Sequence, residues 1–338
     1  MAEFFLQLPP DDRRDALGVA AAASGRPIHV LEKDVWVVWT LQKLFAASFG
    51  AHLVFKGGTS LSKAYSIIRR FSEDVDITYD IRALAPDLIG DVEEALPPNR
   101  SQEKRWTKEI RARLPLWIGD KVMPAIREEL AKDKLSAQLS TEGEKAFIEY
   151  EPVTAASGYL RPIIMIEFGA RSTGEPWEIR PVRCDSADYL PGLVFPTANP
   201  RVMRPERTFW EKATAIHVFC EQGQFRGGDR FARHWHDITR LDNTGFADAA
   251  IADRALRQAV ARHKAIFFAE KDSAGSLIDY EAAVSGGLRL APSDAAVKTL
   301  SDDYRRMVDD GLLLDEADSF EELLAHCRAV QEKANRQD

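Results

Sequence analysis

Two short stretches hold the residue types that chemistry needs. Phe55-Lys56-Gly57-Gly58-Thr59-Ser60-Leu61 reads as a strand entering a double-glycine turn, with a helix behind it. Asp74-Val75-Asp76-Ile77 reads as a second strand with two carboxylates two residues apart. Period two puts Asp74 and Asp76 on one face of that strand. Carboxylates sharing a face repel unless a cation lies between them. A hard divalent ion with oxygen ligands, Mg²⁺ foremost, meets that need. The glycine turn offers backbone N–H groups at a helix start, where polyphosphates bind. Paired metal carboxylates beside a phosphate cradle form the layout of a polymerase-type nucleotidyl transfer site. Each half alone is weak, because Gly-Gly turns and solvated DxD strands are common. Together, with 16 residues from Gly58 to Asp74 and a helix between, they favour function. The sequence contains no GxxxxGK[ST], so nothing supports a P-loop NTPase.

Three further places are candidates. Glu167 stands between Ile166 and Phe168 in an apolar strand, and burial there without a partner is costly. It reads either as a third metal carboxylate or as one half of a salt bridge to Arg171 or Arg180. Lys212 lies beside an apolar helix face formed by Phe209, Ala213 and Ile216. A helical lysine is usually a solvated side chain, and by itself Lys212 reads that way. Arg230, Arg233 and Asp237 have helical spacing and read as a surface ladder of ion pairs. His234 and His236 diverge on a helix and make no metal pair.

The elements that must position these residues follow from periodicity. Two helices over 9–46 break at Ser24-Gly25-Arg26-Pro27. A strand over 52–55, a helix over 60–69 and a strand over Asp74–Tyr79 come next. The charged stretch 84–144 reads as a helical insertion, with a basic run from Arg100 to Arg113. Strands follow over 147–151, 161–170 and 177–182, and 196–205 reads as a connection. Helices are expected over 206–221, 230–241, 247–268, 293–309 and 320–333. The fold class is therefore α/β (α+β): a mixed-sheet core over 1–200 and a mostly helical lobe over 201–338.

Composition sets outer bounds. At 45% hydrophobic and 29% charged residues, the chain is ordinary globular protein. Cys184, Cys220 and Cys327 are scattered without a CxxC pair, so neither a disulfide framework nor a zinc site is indicated. The N-terminus soon turns charged and is not read as a signal peptide, and no apolar run reaches membrane length. A cytoplasmic location without a membrane partner is the expectation. The net charge of −8 argues against a nucleic-acid partner, but its distribution softens the point. Residues 301–338 carry 11 acidic and 5 basic side chains, whereas 201–240 carry 8 basic and 5 acidic. The acidity lies away from the chemical segments, and local field governs a bound polyanion.

Lys56-Gly-Gly-Thr-Ser-Leu61, Arg70-Phe-Ser-Glu-Asp-Val-Asp76, the Glu211-Lys212 helix and the Arg233-to-Asp237 helix resemble the four motifs of the AbiEii/AbiGii toxins. These form a MenT-like branch of the DNA polymerase β-like nucleotidyltransferases. Glu32-Lys33-Asp34 resembles an upstream Glu-Lys-Asp of the same family. The resemblance runs from about Glu32 to Leu241. It implies a polymerase β-like core and a catalytic set of Asp74, Asp76, Glu167, Lys212 and Asp237, which overturns the bland readings of Lys212 and Asp237. Lys212 would contact nucleotide phosphates, with Asp237 across the same cleft. Lys56, Gly57, Gly58, Thr59, Ser60, Lys63, Arg70 and Ser72 would surround the nucleotide, and Asp74, Asp76 and Glu167 would hold Mg²⁺. It further implies an NTP substrate, transfer to an RNA such as the tRNA 3′ end, and a cognate antitoxin or antiphage setting. The alternatives are transfer to a small molecule or protein, or a non-catalytic nucleotide-binding module.

Overall fold

The computed structural model describes residues 3–336 apart from 71–73, 91, 93, 155–160, 224–229, 311, 312 and 314–316. Ser72, an expected nucleotide contact, lies outside the described residues. The chain divides into two units. The first comprises Met1–Ala64, Glu73–Gly90 and Lys108–Val202; the second comprises Tyr65–Ser72, Asp91–Thr107 and Met203–Asp338. Two short segments that the reading placed in the first lobe thus belong to the second, and one of them carries Arg70.

The first unit opens with helices α1 (Pro10–Ser24) and α2 (Ile28–Ala46). Proline at the first helical position needs no N–H partner there. Gly25, at φ 74°, ends α1 in the left-handed conformation that glycine tolerates. Then come β1 (Leu53–Lys56), α3 (Gly57–Lys63), β2 (Asp74–Tyr79), α4 (Arg100–Trp117, whose residues from Lys108 on belong to this unit) and α5 (Met123–Lys132). The strands β3 (Ala137–Glu142), β4 (Lys145–Tyr150), β5 (Ile163–Gly169), β6 (Trp177–Ile179) and β7 (Arg201–Met203) complete one sheet. Its order is β3-β4-β5-β2-β1-β7-β6. The β2–β5 and β1–β7 pairs are parallel, while β1–β2, β3–β4 and β4–β5 are antiparallel, so the sheet is mixed, as expected.

One face of the sheet is core. Phe55, Val75, Ile77, Ile166 and Phe168 are buried there. Tyr150 stacks on Trp36 of α2 at 4.8 Å. Trp117, at the end of α4, stacks on Tyr79 at 4.0 Å and meets Phe168 edge-on at 5.5 Å. Alternation sends Lys56, Asp74, Asp76, Lys145 and Glu167 to the opposite face.

Three expectations about elements are corrected. The helix after the glycine turn ends at Lys63 rather than continuing to 69. The stretch 84–144 includes the edge strand β3, whose short polar sequence carries almost no apolar alternation. The connection at 196–205 contains β7, whose three residues are too few to register as a period.

The second unit is helical: α6 (Pro205–Gln222), α7 (Ala232–Asn243), α8 (Phe246–Ala252), α9 (Arg254–Phe267), α10 (Asp294–Asp309) and α11 (Phe320–Asn335). Trp210 and Trp235 are fully buried and donate to the carbonyls of Ala250 (2.9 Å) and Leu290 (2.7 Å). A buried indole N–H needs such an acceptor. Among the described residues, no helix is long and apolar enough to cross a membrane.

Candidate functional site

The carboxylates of the first unit stand in a charged row. Cross-strand register places Lys56 beside Asp76, Asp76 beside Glu167, and Glu167 beside Lys145. Asp74 lies one pleat along from Asp76 on the same face. Adjacent positions of neighbouring strands bring side chains to roughly 5 Å, so Asp76 and Glu167 are a like-charge pair flanked by lysines. Glu167 Oε2 is 3.5 Å from Lys145 Nζ, and its side chain is 49% exposed. The expectation of a buried, costly Glu167 is therefore corrected. The strand is apolar on its core face alone, and the acid lies on the other. Its partner is Lys145, not Arg171 or Arg180.

The glycine turn meets this row directly. Gly57 has φ +77°, and a Cβ built on it would overlap the Asp76 carboxylate, 2.8 Å from Cγ. Glycine is needed twice here, for the backbone conformation and for the close approach. Thr59 Oγ1 donates to the Asp74 carbonyl at 2.5 Å, tying α3 to the DxD strand. Ser60 is fully buried, and its hydroxyl donates to the Gly57 carbonyl at 2.9 Å, so it shapes the turn.

Lys63 is placed differently from expectation. Its ammonium is 2.5 Å from Asp34 and 2.7 Å from Asp185, in a nearly closed site. Burial pulls its pKa down, but the two carboxylates outweigh that and raise it. Asp34 also accepts from the Asp185 backbone N–H at 2.6 Å, and Arg26 pairs with Asp185. Lys63 thus anchors α3 to α2 and is corrected from a phosphate contact to a structural cation. The Glu32-Lys33-Asp34 triplet is one gripping device. Glu32 accepts from the Val153 N–H with both oxygens at 3.1 Å, and Lys33 donates to the Arg161 carbonyl at 3.4 Å. Burial pushes the Glu32 pKa up to about 7, against the Val153 hydrogen bond and Arg13. Asp185 and Lys145 escaped the sequence reading, because neither sits in a motif or a period.

The second unit holds Arg70, Lys212 and Asp237 as one buried cluster. Asp237 is 0% exposed. It accepts from Arg70 Nε and Nη2 at 2.7 and 2.8 Å, and Lys212 Nζ lies 2.9 Å from Oδ2. Burial alone would raise its pKa, but the two cations hold it well below the usual range. Burial lowers the pKa of Lys212, Asp237 opposes this, and Arg70 adds to it. The surface-ladder reading is corrected: α7 starts at Ala232, so Arg230 lies outside it, and Asp237 points inward.

The donor set of the row is carboxylate oxygen alone, which fits a hard divalent ion and excludes a thiolate or imidazole site. Among the described residues, no three His, Cys, Asp or Glu side chains converge as a metal site. The lysines at both ends of the row favour an anionic ligand.

The sequence matches the family described as nucleotidyl transferase AbiEii toxin, type IV TA system, over residues 39–326. No curated protein matches it. Solved structures similar to this chain include two that it covers almost end to end. JHP933 from Helicobacter pylori is 14% identical with a TM-score of 0.39, covering 90% of this chain and 90% of that one. MenT4, a nucleotidyltransferase toxin from Mycobacterium tuberculosis H37Rv, is 16% identical with a TM-score of 0.39, covering 95% of this chain and 98% of that one.

Proposed function

Because this chain belongs to the AbiEii family of nucleotidyltransferase toxins from toxin–antitoxin systems, we propose that it transfers a nucleoside monophosphate from an NTP to an RNA, the tRNA 3′ end in particular. The observation that carries this is the seating of the Asp76 carboxylate against Gly57. It joins the glycine turn to the carboxylate row.

In this reading, Asp74 and Asp76 hold Mg²⁺, with Glu167 at the open end of the row. The metal supplies neutralisation of charge on the reacting phosphates. Lys56 and the backbone N–H groups of Gly57 and Gly58 receive the β and γ phosphates, and Thr59 keeps α3 fixed to the DxD strand. The acceptor hydroxyl forms the new bond to the α-phosphorus, the bond to the β-phosphate oxygen breaks, and pyrophosphate leaves. Glu167, half-exposed, takes the hydroxyl proton. The family resemblance gives Lys212 a role toward the phosphates, and Asp237, which pairs with both Lys212 and Arg70 within the second unit, holds them in place. Such transfers depend on positioning and electrostatics above all.

An RNA acceptor draws support from α4. Lys104, Arg105, Lys108 and Arg111 are exposed, whereas Arg113 of the same helix is committed to Asp87 and Glu109. A cognate antitoxin, and an antiphage setting, are inferred from the family.

The test is label transfer: pure protein, Mg²⁺, each α-labelled NTP and total tRNA, with Asp76→Ala alongside. Labelled tRNA with wild type, reduced at least about a hundredfold in a folded Asp76→Ala, is the expected result. Label on protein or a small molecule moves the acceptor to the rival class. Full activity in folded Asp76→Ala would sink the site assignment.

A further inference from the structure

Cross-strand register draws a second row on the same sheet face, one pleat from the charged one. Asp74 lies beside Met165, Met165 opposite Phe147, and Phe147 opposite Ser140. All four residues belong to the first unit. The row thus passes from a carboxylate to two apolar side chains, and ends on the edge strand β3.

Those two apolar side chains face away from the core. Their neighbours Ala146, Ile148, Ile164 and Ile166 alternate inward and are at most 1% exposed. Phe147 and Met165 are only partly buried, as is Ile163, the next residue on that face. Tyr150, on the core side of the same strand, is stacked on Trp36 at 4.8 Å. Among the described residues, no ring packs on Phe147. Single exposed apolar residues need no explanation. An aromatic directly opposite a methionine, in line with Asp74, is different: it is a surface continuous with the carboxylates. Glu149 and Glu167 flank it on the same face, so it favours a neutral guest over a phosphate.

A nucleobase is such a guest. Every base has a π-face that stacks on an aromatic side chain, and sheet-borne aromatics can supply the platform. Which base it is rests on the function proposed above. There, Lys56 and the glycine turn take the triphosphate, and Glu167 takes the acceptor's proton. Phe147 lies on β4, beyond Glu167 as counted from the glycine turn. It is the diagonal neighbour of Glu167, at about 7–8 Å, a separation that one nucleoside can span from hydroxyl to base. We propose that Phe147 and Met165 stack the unpaired terminal base of the acceptor RNA, and so present its ribose hydroxyl to Glu167. The acceptor is then a single-stranded end, because a base inside a duplex has no free face to offer.

The probe is a 5′-fluorescein RNA hairpin with a single-stranded 3′ tail, ending either in adenosine or in an abasic ribose. Binding is read by anisotropy, with Mg²⁺ and without NTP. Removing the base should weaken binding to wild type about tenfold. Phe147→Leu should bind both RNAs equally, and Phe147→Trp should restore the difference. An abasic end bound by wild type as tightly as adenosine would overturn the proposal, and so would a base effect that survives Phe147→Leu. Calorimetry should give each NTP the same affinity in wild type and Phe147→Leu. A loss there would give the platform to the NTP base and overturn its assignment to the acceptor. Absence of any RNA binding would remove the RNA acceptor of the proposed function and this proposal together, whereas RNA binding indifferent to the terminal base would remove this proposal alone.

Discussion

The carboxylate row of the first unit and the Asp237 cluster of the second solve the same problem in opposite ways. Both place acids beside lysines. In the row, Asp76 and Glu167 are neighbours of like sign, and Glu167 keeps half of its surface in water. In the cluster, one fully buried carboxylate is shared by two cations, with every distance under 3 Å. The row reaches solvent at Glu167, whereas the cluster is sealed from it. Its charges are held in place beforehand, so its loss should register in folding before it registers in turnover.

Removing Asp237 tests that contrast most severely. Asp237→Ala removes the counter-ion of buried Lys212 and the two-pronged acceptor of Arg70, and about 3–5 kcal/mol of stability should be lost. Asp76→Ala, in the open row, should unfold at nearly the wild-type denaturant midpoint. Equal destabilisation of the two variants would erase the distinction.

A third acid shows that pairing, rather than burial, decides the outcome. Asp237 is buried between two cations and stays well below its usual range, whereas Glu32 is pushed up to about 7. A raised carboxyl pKa means that the folded state binds the proton more tightly. Stability therefore falls as pH rises from about 4.5 towards 7, by about 2–3 kcal/mol. Glu32→Gln should flatten that fall, and urea midpoints at pH 5 and pH 8 measure it. Asp237 contributes nothing to this window, because its stabilisation is lost only as pH drops below the ordinary aspartate range.

Gly57→Ala comes next. The left-handed conformation and the Asp76 contact both oppose a Cβ, which should cost about 1–2 kcal/mol and displace the Asp76 carboxylate. Transfer activity should fall further than stability predicts. Lys145→Met should have the smallest effect. Its pair with Glu167 is exposed on both sides, so stability should change by under about 1 kcal/mol.

Much of this was legible in the chain, for local reasons. The break between α1 and α2 follows from Gly25 and Pro27, and β2 runs over the residues that alternation indicates, Asp74–Tyr79. The helices after Pro205 follow from their apolar periods. Glu167 was misjudged because a one-sided apolar strand and a fully buried one look alike over four residues, Ile163 to Ile166. Lys63 was misjudged because its helix gives no hint of Asp34 and Asp185, which lie 29 and 122 positions away.

The sequence by itself determined the glycine turn, the paired carboxylates and the helical second half, since each rests on contacts between near neighbours. Only the tertiary structure decided which charges are satisfied. It set Asp76 against Gly57, gave Lys63 to Asp34, and enclosed Asp237 between Arg70 and Lys212. A charge is settled by whatever stands within about 3 Å of it. In a folded chain those groups come from any distance along the sequence.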